Sequence, residues 1–170
     1  MVGKLIGAVI IMASCGGYGF FLAYQHQYIL RLLKQLHRIL DRMGWELQYR
    51  LRPIPELCRC VSSEQKGVLA EVFLRLAIEL ENQMQPDCQR CMFITLESTA
   101  ALPKVIKSLL NELGNELGRY DLHGQLEGIN SVLQLVLGQI RELERDKGKR
   151  VLGYKTLGLC AGAALVILFI

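Results

Sequence analysis

The sequence predicts an all-α protein in which a helical domain lies between an N-terminal and a C-terminal transmembrane helix. Hydrophobic residues make up 51% of the 170 residues although 21% are charged, and the longest uncharged stretches are at the two ends of the chain. Between these ends the chain contains few prolines and is rich in Leu, Glu, Gln, Arg and Lys, which favour helix.

The first predicted transmembrane helix is assigned to residues 1–24. Residues 5–24 carry no charged side chain, and a helix of about 20 residues spans about 30 Å, the thickness of the hydrocarbon core. A cleaved signal peptide is one alternative. A lipoprotein anchored through Cys15 is another, because the residues around Cys15 resemble a lipobox. The apolar run continues for nine residues beyond Cys15, which favours a retained helix.

The second predicted transmembrane helix is assigned to residues 156–170, which are uncharged to the end of the chain. Extended back to residue 151, the stretch contains one lysine, Lys155, whose ammonium group can reach the lipid headgroups. Residues 25–155 therefore form the predicted helical domain. Basic residues of this domain cluster next to both spans, so the positive-inside rule places the domain in the cytoplasm.

The first helix of the domain is predicted to continue from the membrane over residues 25–51. Its apolar residues alternate spacings of three and four, which is the heptad stripe of a helix that packs on one face. These residues are Ile29, Leu33, Leu36, Leu40, Met43 and Leu47. Pro53 and Pro55 end this helix, and Pro55 suits the first turn of a second, short helix.

Three further helices are predicted from their capping residues. Ser62 and Gln65 have the spacing of a capping box, which predicts that a helix starts at Ser62. Asp87 can cap the N-terminus of a helix over residues 88–98. Pro103 fits the first turn of the helix after it.

Residues 112–121, ELGNELGRYD, predict a corner before the last helix. Gly114 lies inside a helix, where glycine costs about 1 kcal/mol relative to alanine, so we expect close packing against a neighbouring helix. Gly118 suits a left-handed C-cap, and Asp121 suits the N-cap of the last helix. That helix carries a second heptad stripe, and we expect it to pack antiparallel to the first long helix. The residues of this second stripe are Leu126, Ile129, Leu133, Val136, Ile140 and Leu143.

Two cysteine pairs raise the alternative of a zinc-binding or redox-sensing protein. One residue separates Cys58 from Cys60, and two residues separate Cys88 from Cys91, spacings that occur in thiolate zinc sites and redox motifs. All four fall in predicted helices rather than in knuckle loops, so buried or inert thiols are the favoured interpretation.

The sequence contains no recognisable signature of catalysis. The three histidines are scattered, and the motifs of serine hydrolases, zinc proteases and P-loop nucleotidases are absent. We therefore predict a protein that is not an enzyme and has no catalytic residue, cofactor or metal. A net charge of +4 is too small to predict nucleic-acid binding.

Several short motifs follow one another in a recognisable order. They are ELQY at residues 46–49, PIPEL at 53–57, Gly67 and Leu69 with Phe73, Leu113 with Gly114, Leu117 with Gly118, Asp121 and Gln125. Their order and spacing resemble the stage III sporulation protein AB family over essentially the whole chain. That family is similar in fold to the cytoplasmic domains of the inner-membrane platform protein of type II secretion and type IV pilus machines. The paired cysteines are not part of the family pattern.

This resemblance implies a non-enzymatic, membrane-anchored scaffold in a secretion-like channel complex between mother cell and forespore. It implies a location in the outer forespore membrane, with the middle domain on the mother-cell side in the cytoplasm. The implied partners are a secretion-type ATPase of the same operon, other membrane proteins of the channel complex and the lipid bilayer. No nucleic acid is implied, and a homo-oligomer is left open.

Charged residues and prolines predict where such a partner docks. Arg50 and Arg52 flank the end of the first long helix, and we expect the corner with Arg119 and Asp121 to lie nearby. This membrane-distal end is the predicted docking surface for a cytoplasmic ring. The candidate structural and interaction residues are Arg50, Arg52, Pro53, Pro55, Glu56, Gly114, Gly118, Arg119, Asp121 and Gln125.

Overall fold

Six helices make up the described part of the computed structural model, and they confirm the prediction of an all-α fold. The structure describes the backbone of residues 2–82, 87–99, 101–117 and 121–169, and the side chains of residues 24–82, 87–99, 101–117 and 121–145. Within these ranges every regular element is a helix. The helices are α1 (Val2–Arg50), α2 (Ile54–Glu64), α3 (Val68–Asn82), α4 (Cys88–Ser98), α5 (Lys104–Glu116) and α6 (Leu122–Phe169).

The chain divides into two compact units. Unit 1 contains the N-terminal part of α1 and the C-terminal part of α6, Met1–Leu30 and Arg141–Ile170. Unit 2 contains Arg31–Ile140, and therefore the inner parts of both long helices together with α2 to α5.

No helix is long and apolar enough to cross a membrane in the part of the chain whose side chains are described. The predicted spans at residues 1–24 and 156–170 lie outside that part, except for Tyr24. Cys15, on which the lipoprotein alternative depends, also lies outside it. The two spans and this alternative therefore stay predictions.

The core of unit 2 is formed by the apolar stripes that the sequence predicts. On α1, the five heptad residues from Leu33 to Leu47 are at most 4% exposed. On α6, Ile129 and Val136 are buried, whereas Val132 is buried in place of Leu133, which is half-buried. Each fully buried aliphatic side chain of this size stabilises the fold by roughly 1.5–3 kcal/mol.

Polar contacts within unit 2 show that α2 runs antiparallel to α1, and that α3 runs antiparallel to α2. Arg42 on α1 donates to Glu64 at the end of α2 at 3.0 Å. Gln35, two turns earlier on α1, donates to the carbonyl of Lys66, just after α2, at 2.9 Å. Arg59 on α2 then pairs with Glu81 near the end of α3.

The next helices of unit 2 continue the same order. Arg75 on α3 donates to Ser98 at the end of α4 at 3.4 Å. Lys107 on α5 donates to the carbonyl of Leu96 on α4 at 2.9 Å. At each end of the bundle of unit 2, the C-terminus of one helix therefore lies near the N-terminus of the next.

The bundle of unit 2 closes because α6 packs on both α5 and α1. A Cβ added to Gly128 would lie 2.6 Å from the Cβ of Glu116 on α5, and one added to Gly44 on α1 would lie 3.9 Å from Cγ2 of Ile129. We call the end of this bundle where α1 stops the tip. The helix termini at the tip are Arg50, Ile54, Asn82, Cys88, Glu116 and Leu122.

The capping signals correctly predict the start of α4 but not that of α3. Asp87 is the N-cap of α4, and its Oδ1 accepts a hydrogen bond from the N–H of Gln89 at 3.1 Å. The predicted helix start at Ser62 is wrong, because Ser62 lies inside α2 and its hydroxyl donates to the carbonyl of Arg59 at 2.8 Å. The break comes later, at Gly67, whose φ of +90° suits glycine.

Candidate functional site

At the tip, α1 is followed by a leucine in a left-handed backbone conformation. The helix stops at Arg50, and Leu51 has a φ of +50°, which costs an L-amino acid roughly 1–2 kcal/mol. The side chain of Leu51 is 64% exposed, so little burial offsets this strain. Pro53 then serves as the extended N-cap residue of α2, with Pro55 in its first turn, and the chain turns back along α1.

One turn before this end, α1 buries a carboxylate. Glu46 is fully buried, and guanidinium nitrogens of Arg42 and Arg52 lie 3.0 and 3.1 Å from its two oxygens. The Nε of Arg50 lies 3.7 Å away. Neither oxygen accepts a well-aligned hydrogen bond from the described residues. Electrostatic attraction to the arginines therefore compensates the lost hydration of Glu46.

Two aromatic side chains lie beside these arginines on the outer face of α1. The ring centroids of Trp45 and Tyr49 are 5.4 Å apart. The guanidinium carbons of Arg42 and Arg50 are 5.1 and 5.5 Å from the centroid of the Trp45 ring, within the range of cation–π attraction. Trp45 is 43% exposed and Tyr49 is 66% exposed, so arginines hold an accessible aromatic pair in place.

These side chains lie on the last turns of α1 and on the two residues that follow it, and we call them the arginine–aromatic surface. It consists of Arg42, Trp45, Tyr49, Arg50, Leu51 and Arg52. Its three arginines face two carboxylates, Glu46 and Glu64, which leaves a net charge of one positive unit. Both Arg50 and Arg52 point their Nε towards Glu46, and in the described part of the chain nothing accepts a hydrogen bond from their terminal nitrogens.

The structure brings together some of the residues that the sequence singled out at this turn. Arg50 and Arg52 converge on Glu46, and Pro53 and Pro55 follow them as the N-cap residue and a first-turn residue of α2. Glu56 is exposed in the first turn of α2, where a negative charge favours the helix dipole.

Sequence reasoning did not single out Glu46, Trp45 or Tyr49 as candidates. A signal for Glu46 was present, because Arg42 and Arg50 lie four residues before and after it on the same helical face. The contribution of Arg52 depends on the turn at Leu51, which has no such signal. The aromatic pair likewise becomes meaningful only when its exposure is known.

The other candidate residues belong to the helix packing near the tip. Gly114 lies inside α5, and a Cβ added to it would be 2.8 Å from the Cβ of Met92 on α4, which is the close approach expected there. Asp121 accepts a hydrogen bond from the N–H of Gly124 at 3.0 Å, as expected for the N-cap of α6. The backbone N–H of Gln125 donates to the carbonyl of Asp121 at 3.0 Å.

Two further candidate residues belong to the predicted corner before α6. Gly118 and Arg119 lie outside the described residues. The left-handed C-cap predicted for Gly118 and the surface role predicted for Arg119 therefore stay predictions. On the described side of the corner, α5 ends at Glu116, and the N–H of Leu117 donates to the carbonyl of Leu113 at 3.0 Å.

The cysteines of the zinc and redox alternative are free thiols. Burial raises the pKa of Cys58 well above its usual range and that of Cys88 to about 12, with smaller contributions from Cys91 and Asp87 in the second case. A thiol must lose its proton to bind metal or act as a nucleophile, so these environments disfavour both roles. In the described ranges, no group of three or more His, Cys, Asp or Glu side chains is placed to hold a metal ion.

Comparisons with known proteins agree with the motifs read from the sequence. A family model described as stage III sporulation protein AB matches residues 4–170. A solved structure of a protein named Stage III sporulation protein AB (SpoIIIAB) is similar in fold, with a TM-score of 0.60 and 18% identity over 69% of this chain and 94% of that chain. No match was found among curated proteins. The chain belongs to the stage III sporulation protein AB family.

Proposed function

We propose that the protein is a non-enzymatic, membrane-anchored scaffold of the sporulation channel complex between mother cell and forespore. Its role is to couple a cytoplasmic secretion-type ATPase to the membrane proteins of that complex by binding, without bond chemistry. The observation that carries this proposal is the arginine–aromatic surface at the tip. Trp, Tyr and Arg are the residues that most often dominate protein–protein binding energy, and here they lie exposed and close together.

Anchoring in the membrane is supported by the sequence at the two ends of the chain. The uncharged residues 5–24 and 156–170 are each flanked by basic residues on the side of the middle domain. In the proposed orientation unit 2 is cytoplasmic, on the mother-cell side of the outer forespore membrane.

The helical connection between anchor and tip suits a coupling role. α1 is continuous from Val2 to Arg50, and α6 is continuous from Leu122 to Phe169. Both helices therefore join the predicted spans to the helix ends of the tip without a break in backbone hydrogen bonding.

Site-specific photo-crosslinking in sporulating cells tests this proposal. A photoreactive residue in place of the exposed Tyr49 should capture the secretion-type ATPase. The matched control is the same residue in place of Leu74, which is 41% exposed on α3 and lies outside the tip. The proposal fails if Tyr49, Leu51 and Trp45 positions all give no ATPase adduct, or if Leu74 gives the same yield.

A further inference from the structure

We infer that the arginine–aromatic surface binds an acidic protein segment that carries an apolar side chain next to its carboxylates. The partner carboxylates would pair with Arg50 and Arg52, and the apolar side chain would pack on Trp45, Tyr49 and Leu51. This inference rests on the proposed docking function for the location of the surface, and it adds the chemistry of the segment that docks.

The charge distribution selects an acidic rather than a basic segment. Glu46 is wholly enclosed and faces the Nε atoms of Arg50 and Arg52, so it orients both guanidiniums without being accessible itself. The side chains of Arg50 and Arg52 are 50% and 33% exposed, and their terminal nitrogens have no acceptor among the described residues. The terminal nitrogens of a guanidinium form a planar fork that matches the two oxygens of a carboxylate.

The third arginine contributes less to this recognition. Arg42 already donates to Glu64 at 3.0 Å and also faces Glu46. Its charge is therefore compensated within the protein, and its guanidinium supports the ring of Trp45. A basic segment would meet the one positive unit that remains after Arg50 and Arg52 face Glu46, which disfavours its binding.

The apolar half of the inferred segment follows from the three exposed side chains. Trp45, Tyr49 and Leu51 are 43%, 66% and 64% exposed. The Trp45 ring already lies within cation–π distance of two guanidiniums, and the tilted ring of Tyr49 lies beside it. Because these contacts restrict the rings before a partner binds, ordering the rings costs little of the binding free energy.

The test uses Trp45, which is the only tryptophan of the chain and so reports directly on this surface. A random peptide library is selected against the full chain in detergent, and enriched peptides are titrated while Trp45 emission is recorded. We expect enriched peptides to be net negative with an apolar residue, to change the emission saturably, and to bind more weakly as salt is added.

Two matched variants separate this surface from the general charge of the protein. Arg50→Gln should weaken binding of the enriched peptides by about tenfold, the effect of losing one charged hydrogen-bonding pair. Arg75→Gln is the control, since Arg75 also pairs with a glutamate four residues away but lies on α3 outside the tip. It should leave the dissociation constant unchanged.

The outcomes that overturn the inference are specific. Either no peptide is enriched, or the enriched peptides are neutral or basic. Alternatively, the peptides bind without changing Trp45 emission, or Arg50→Gln and Arg75→Gln weaken peptide binding equally. Stronger displacement of the peptides by a single-stranded nucleic acid than by polyglutamate also overturns it. If acidic peptides bind but Tyr49 never crosslinks to the ATPase, the inferred chemistry stands and the proposed partner is wrong.

Discussion

At the scale of single residues, Glu46 shows how the tip keeps a charge inside the protein. Burial removes the hydration of a carboxylate, which costs several kcal/mol unless opposite charges compensate. Two of the compensating arginines lie on the same helix, and Arg52 arrives from beyond the turn. The carboxylate therefore links the end of α1 to the start of the connection to α2.

Glu46→Gln should lower the free energy of unfolding by about 2 kcal/mol, because it removes the charge that the arginines surround. This is below the cost of breaking a fully enclosed pair, since the arginines are partly exposed and can turn to water. Denaturant unfolding of the full chain in detergent measures the change. Glu71→Gln, which removes an exposed partner of Arg75, is the control and should change stability by less than about 0.5 kcal/mol.

Gly114→Ala should destabilise the protein by about 1–2 kcal/mol, because the added methyl would overlap Met92 and the gain in helix propensity offsets only about 1 kcal/mol. Gly138→Ala provides the control on α6. Among the described residues, no atom beyond the local helix backbone lies within 4 Å of the added carbon there, so the same change should stabilise by up to about 1 kcal/mol. Equal effects in thermal unfolding would contradict the close contact of α4 with α5.

Burial of the Cys88 thiol predicts that stability falls at alkaline pH. In the unfolded chain a thiol titrates near about 8.5, whereas the folded pKa is about 12. Between these pH values the folded state binds more protons than the unfolded state. The stabilising contribution of the Cys88 thiol is therefore complete below about pH 8.5 and is lost as the pH rises. Cys88→Ala should flatten the decline in free energy of unfolding above pH 9 or so; an unchanged slope would show that other groups cause it.

At the scale of elements, the start of α6 depends on one local contact. Asp121 accepts the N–H of Gly124, and satisfying such a donor typically contributes about 1 kcal/mol. Asp121→Ala should therefore lower the free energy of unfolding by about that amount. Asp121→Ser keeps an acceptor oxygen and should lose much less. If both variants unfold alike in denaturant, the cap is not what stabilises this helix start.

Elements whose start depends on neighbouring residues could be predicted from the sequence, and those that depend on tertiary contacts could not. Asp87 and Asp121 cap helices because their acceptors lie two and three residues from the donor. Ser62 has the same local pattern, yet α2 continues through it and Leu57, Cys58 and Val61 bury the apolar face of that helix. Packing of this kind overrides a capping signal.

The candidate surface was predictable to a similar, partial extent. The proline turn and Arg50 with Arg52 are visible in the sequence. Their convergence on Glu46 requires the turn at Leu51 to direct Arg52 backwards, and its left-handed conformation has no signature in a leucine. Gly114 was predictable because a glycine inside a helix needs a neighbour at short distance, but the identity of that neighbour, Met92, was not.

At the scale of the whole molecule, short connections and antiparallel order concentrate helix termini at the tip. A connection of three residues joins α1 to α2 at the tip, and one of the same length joins α2 to α3 at the opposite end, which leaves little freedom in how these helices meet. The tip is consequently the part of unit 2 where helix termini, uncompensated arginine charge and exposed aromatic rings coincide. A partner that binds there contacts α1 at its last turns.

Leu51 is a position where folding and docking favour different residues. Leu51→Gly should leave the free energy of unfolding unchanged or raise it by up to about 1 kcal/mol, because glycine accepts a positive φ without strain. The same variant should bind the acidic–apolar peptides several-fold more weakly, since a contact surface is lost. Leu51→Ala, which keeps the strain and also loses the surface, is the control that separates the two effects.

A Leu51→Gly protein that binds the peptides like the wild type would remove this residue from the surface. If instead it folds better and binds worse, the protein retains a small amount of conformational strain at this exposed turn. Natural proteins seldom sit at their stability optimum where a site must meet another molecule. Thermostability screening would then select against the very side chain that a partner needs, so improved folding alone is a poor guide when variants of this protein are chosen.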